Sequence, residues 1–123
     1  MQRKLVYVEL KSGYDDNGPA WIGYGLVNRT GKTIYFNGTA LQKGNGVSGN
    51  YFSGEDEYWV TGIKKNAEHR YPWGNGKIQI DKDAIAEYKE LTGLKELLKS
   101  KYEIVQLDNT THAEYHERQN EKL

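Results

Sequence analysis

The 123-residue sequence predicts an α+β domain dominated by β-structure: a twisted antiparallel sheet or partly closed small barrel carrying one C-terminal amphipathic helix. Three observations predict it. Short stretches rich in β-branched and aromatic residues recur up to residue 80. The 14 glycines punctuate these stretches, and only Gly93 lies beyond residue 76. A helical apolar spacing starts after Asp81 and stops at Gly93.

The elements follow in order. Leu5 to Lys11 is a strand bounded by Gly13, and Tyr14 to Pro19 is an acid-amide-Gly-Pro loop. Trp21 to Val27 is a second strand, with Trp21, Gly23, Gly25 and Val27 on one face and Ile22, Tyr24 and Leu26 on the other. Glycines sharing a face imply a strong bend or a close backbone approach. Thr33 to Phe36 returns after a turn, and Asn37-Gly38 is the sharpest hairpin signal, joining it to Thr39 to Gln42. Asn50 to Phe52, an acidic turn and Glu57 to Ile63 form the next pair, and a long loop leads to Lys77 to Ile80. Asp81 at an N-cap, Asp83 in the first turn, Ile85, Tyr88 and Leu91 on one face and Gly93 past the end give a helix near 82–92. Leu94, Leu97 and Leu98 extend that pattern by a turn or two, and Tyr102 to Leu107 is a last strand that closes or edges the sheet. One domain, 1–108, is expected to precede a polar tail, 109–123.

Leu, Ile, Val and Phe supply only 25 residues, but 3 Trp, 10 Tyr and 2 Phe give rings that can form an aromatic core. Net charge is zero, so no overall field recruits nucleic acid or an anionic membrane. The split is uneven: residues 1–80 carry ten Lys or Arg against seven Asp or Glu, and residues 81–123 carry seven against ten. Cysteine is absent, which removes disulfides, thiolate metal sites and thiol nucleophiles. No run approaches the ~18 apolar residues of a membrane helix, and no secretion signal is evident, so a cytoplasmic protein is expected.

Few motifs carry chemistry. Gly44 to Gly49 fits G-x-G-x-x-G, but Asn50-Tyr51-Phe52 after it is no helix, so a loop is expected instead of a dinucleotide site. His112 and His116 have metal-ligand spacing but lie in the tail without a third ligand. Asp15, Asp16 and Asn17 lack the alternating spacing of a calcium loop. Neither a metal nor a cofactor is expected.

The best functional candidate is residues 64–76, which set Lys64, Lys65, His69 and Arg70 beside Tyr71 and Trp73 on a loop between strands. Trp and Tyr offer rigid stacking surfaces, and Arg pairs bidentately with carboxylate or phosphate. The competing reading folds Trp73 onto the core and pairs the cations with neighbouring acids.

Asn17 to Gly23, Thr33 to Gly38, Gly49-Asn50-Tyr51, Glu57 to Gly62 and Gly76-Lys77-Ile78 together resemble a family of small uncharacterised bacterial proteins. The resemblance spans roughly residues 4 to 107. Some of its members carry the name 1-deoxy-D-xylulose-5-phosphate synthase. The enzyme of that name is a large thiamine diphosphate and magnesium protein whose cofactor motif begins Gly-Asp-Gly, a tripeptide this chain lacks. The resemblance therefore implies neither that activity nor any catalytic residue.

The expected function is a small binding or interaction module for a protein, peptide or small ligand, using the 64–76 loop. An alternative is a small enzyme pairing His69 with Glu55, Asp56 or Glu57 in acid-base work. A third reading, weak single-stranded nucleic-acid binding, is disfavoured by the zero net charge.

Overall fold

Apolar residues occupy both faces of the first strand, so it must be covered on two sides. Leu5, Val6, Tyr7, Val8 and Glu9 are all buried. In the computed structural model, which describes residues 2–13, 18–46, 49–64 and 76–109, this strand belongs to two layers at once. The elements are β1 (Gln2–Leu10), β2 (Ala20–Val27), β3 (Thr33–Phe36), β4 (Thr39–Lys43), β5 (Tyr51–Ser53), β6 (Asp56–Gly62), β7 (Ile78–Asp81), a 3₁₀ turn (Lys82–Ala84), α1 (Ile85–Thr92) and β8 (Tyr102–Val105).

Strands β1 to β6 close a six-stranded antiparallel barrel in the order β1-β6-β5-β4-β3-β2, with β2 returning to β1. Val6, Val8, Ile34, Phe36, Leu41, Tyr51 and Val60 fill its interior, and Leu107 enters from beyond β8. Each such side chain contributes about 1.5–3 kcal/mol by leaving water. The opposite faces of β1 and β2 join Ile78, Ile80, Ala84 and Tyr88 in a second cluster. The helix thus packs on the outer face of the barrel wall.

The sheet is not wholly antiparallel. β7 pairs parallel with β2 through Trp21↔Gln79 and Ile22↔Ile80, and β8 pairs parallel with β7. The connection from β7 to β8 carries α1, the kind of crossover that parallel strands require. Antiparallel expectation fails here because a helix, not a hairpin, joins the two strands.

β2 is therefore forked. On the edge away from β1, its Leu26 and Val27 pair with β3, while Trp21 and Ile22 pair with β7. Gly23 lies between the two sets of partners, and a Cβ there would sit 2.6 Å from the Leu107 Cδ1 that plugs the fork. At Gly25 a Cβ would meet Ile34 Cγ2 at 2.8 Å. The close approach expected from the paired glycines is realised at both positions.

Local signals place the remaining boundaries. Asn37 and Gly38 both take positive φ, 48° and 76°, as a tight hairpin turn demands. The Asp81 carboxylate caps the 3₁₀ turn by accepting from the Asp83 amide at 3.1 Å. Gly93 ends α1 in the left-handed region at φ 81°. The apolar pattern of Leu94, Leu97 and Leu98 does not prolong the helix, because the chain reverses at Gly93.

Candidate functional site

Of the residues singled out in the 64–76 loop, Lys64 is exposed just beyond β6, and Lys65, His69, Arg70, Tyr71 and Trp73 lie outside the described residues. Glu55 and Asp56 are exposed at the β5–β6 turn, and Glu57 is half-buried with its amide donating to Ser12 Oγ. Asp15, Asp16, Asn17, His112 and His116 also lie outside the described residues. In the Gly44 to Gly49 run, Gly46 N–H donates to Gly49 C=O at 3.1 Å. A strand follows, not a helix, so this glycine run cannot aim a helix N-terminus at a pyrophosphate.

Among the described residues, the structure brings together a different set. Arg3, Leu26 and Tyr35 are directly opposed across β1, β2 and β3, so their side chains form one row on the outer face of the barrel. Tyr24 stands two residues along the same face. These four, with Asp83 of the 3₁₀ turn and Asp108 and Asn109 beyond β8, line a cleft of about 390 Å³ over the fork in β2. Small-molecule sites commonly run to about 300–1,000 Å³.

The cleft has two polar sides. On one, the Arg3 guanidinium lies 4.2 Å from the centroid of the Tyr24 ring, a cation–π contact that orients the guanidinium without consuming its N–H donors. Among the described residues Arg3 has no carboxylate partner. Tyr24 is itself fixed by donating to Glu87 Oε1 at 3.1 Å. Burial, then the hydrogen bond and charge of Glu87, push the Tyr24 hydroxyl above its ordinary pKa, so it holds its proton to a higher pH than a free tyrosine.

The other side is built by the segment after β8. The Asp108 amide donates to Asn37 Oδ1 at 2.9 Å, and its carboxylate lies against Gly38, where a Cβ would come within 2.6 Å of Oδ2. Asn109 donates to the buried Asp81 Oδ2 at 2.9 Å, the same carboxylate that caps the 3₁₀ turn bearing Asp83. The backbones of Asp83 and Asp108 and the side-chain amide of Asn109 are thereby fixed by bonds to Asp81 and Asn37, in the cleft that Arg3 also lines. Sequence reading missed these residues because they come from five separate segments. The alternation that put Tyr24 and Leu26 on one face of β2 was the one available signal.

Two other features border the barrel. Glu9 is buried on the outer face of β1, accepts from Tyr7 Oη through Oε1 and pairs through Oε2 with Lys11 Nζ at 2.7 Å. This network sets a buried carboxylate and its cation together. At one barrel mouth Val8, Trp21, Phe36, Asn37, Thr39, Leu41 and Tyr58 line a hollow of about 100 Å³. Among the described residues no group of three or more His, Asp or Glu could hold a metal ion, and no helix is long and apolar enough to cross a membrane. The chain matches no family model, no curated protein and no solved structure.

Proposed function

We propose that this chain is a small binding module that takes a zwitterionic small molecule, such as a free amino acid or short peptide, in the cleft over the β2 fork. The mixed charge of that cleft supports the reading: Arg3, held on Tyr24, lines it together with Asp83 and Asp108. A ligand anion would accept two N–H bonds from the guanidinium. Its ammonium group would donate to the carboxylates, and its body would lie between Leu26 and the Tyr24 and Tyr35 rings.

Amide chemical-shift mapping with free amino acids and matched amine and carboxylate fragments tests the proposal. Shifts centred on Arg3, Leu26, Tyr35, Asp83 and Asp108 are expected, with amino acids binding more tightly than either fragment. Arg3→Ala should weaken binding by about tenfold or more, the effect of losing charge-assisted hydrogen bonds. Shifts centred on Lys64 and the residues after it would move the site to the aromatic and basic loop. No saturable shift anywhere would reject a small zwitterionic ligand.

A further inference from the structure

A closed barrel has no free strand edge, yet this sheet ends in one. β8 pairs with β7 on one side and, among the described residues, with no strand on the other. Such an edge is a template for another strand unless it is blocked. β8 lacks proline and a bulge, and Ile104 near its centre is 62% exposed. Leu98, whose carbonyl accepts from the Lys101 and Tyr102 amides, adds a second apolar side chain at 54% exposure where the chain turns into β8.

The backbone phase of β8 selects one mode of self-pairing. Ile78 N–H donates to Lys101 C=O at 2.8 Å, so Lys101, Glu103 and Val105 turn their backbone groups toward β7. Successive residues alternate, which leaves the N–H and C=O of Ile104 and the C=O of Tyr102 pointing away from the sheet. The Tyr102 amide is already committed to Leu98 C=O at 3.0 Å. An antiparallel two-fold centred on Tyr102 would need that amide and is excluded. One centred on Glu103 would need it too, and would set two carboxylates directly opposite each other. A two-fold centred on Ile104 forms its central pair without that amide and sets no carboxylates opposite each other; its Tyr102–Gln106 pair then makes one bond, from Gln106 N–H to Tyr102 C=O.

The geometry points to a homodimer in which two β8 strands pair antiparallel about Ile104. Ile104 exchanges both backbone hydrogen bonds with its copy, Tyr102 faces Gln106 of the second chain, and Glu103 faces Val105. The basic start of the strand, Lys99 and Lys101, then runs beside the end that carries Asp108 in the other copy, which is a charge-complementary arrangement. This interface lies on the edge of β8 and meets the cleft at Asp108 and Asn109, while its central pair, Ile104, lies outside the cleft lining.

The full chain tests this directly. Sedimentation velocity over rising concentration should show the mass moving from one chain to two, because a four-residue strand makes a reversible contact. Ile104→Lys should hold the chain monomeric while leaving its thermal unfolding unchanged. The chain has no cysteine, so single substitutions report the register cleanly. Opposed residues in a hydrogen-bonded antiparallel pair have Cα atoms about 5.5 Å apart, within disulfide range. Ile104→Cys should therefore oxidise to a covalent dimer much faster than Glu103→Cys. A chain that stays monomeric at the highest concentration, an Ile104→Lys variant that still associates, or equal cross-linking by the two cysteine variants would each overturn the proposal.

Discussion

The barrel interior and the layer outside it share β1 and β2 but are held by different forces. Inside, Val6, Val8, Ile34, Phe36, Leu41 and Val60 make a core whose cohesion is non-directional. Outside and along the seam, burial is interleaved with named polar bonds: Tyr7 to Glu9, Glu9 to Lys11, Tyr88 with Tyr102, and Asp81 with both Asp83 and Asn109. The first region should respond chiefly to changes of volume, and the second also to the loss of a polar partner. One strand pair thus joins a generic core to a specific one, and the candidate cleft is built on the specific side.

The sharpest break of this contrast is Leu41→Ala. Its side chain is almost fully buried inside the barrel, and truncation should cost about 3–4 kcal/mol in denaturant unfolding, with every strand lost in one transition. Asp81→Ala should cost less, about 2 kcal/mol, by removing the cap and leaving the Asn109 amide without its acceptor. Native-state hydrogen exchange should then rise first in β7, α1 and β8, ahead of β3 to β6. Equal acceleration throughout the barrel would mean that the two regions do not differ in local stability. Gly25→Ala, which presses a Cβ on the stiff Ile34 side chain, should cost about 1–2 kcal/mol and leave that exchange order unchanged.

The smallest effect distinguishes the regions by pH. Burial, reinforced by the hydrogen bond and charge of Tyr102, holds the Tyr88 hydroxyl far above the ordinary tyrosine range. The folded chain then keeps a proton that the unfolded chain releases near pH ~10. Stability from this group is complete below that pH and is lost as pH rises above it. Tyr88→Phe should cost about 1 kcal/mol at neutral pH and flatten the alkaline decline, measured as denaturant midpoints across that range.

Much of this plan is legible in the residues. Every stretch expected to be extended is a strand, because alternation, Asn37-Gly38 and the Asp81 to Gly93 pair are local signals. Closure through β1 and β6 is not local, and neither is the parallel placement of β7 and β8 beside β2. Those pairings depend on which distant strand buries which face, a choice that the chain makes by packing. The cleft was hidden for the same reason. Arg3, Tyr35 and Asp108 become neighbours only after the fork forms, and the aromatic and basic loop drew attention by having its chemistry contiguous in sequence.

The fork also constrains how the molecule is made. During synthesis β1 and β2 can pair early, but the second edge of β1 waits for β6, and Gly23 waits for Leu107 from beyond β8. At ribosomal rates of about 5–20 residues per second, that leaves an apolar hairpin exposed for several seconds. The nascent chain is therefore most vulnerable to misassociation before its last strand emerges, and synonymous changes that slow the arrival of Leu107 should lower soluble yield even though the finished fold is unaltered.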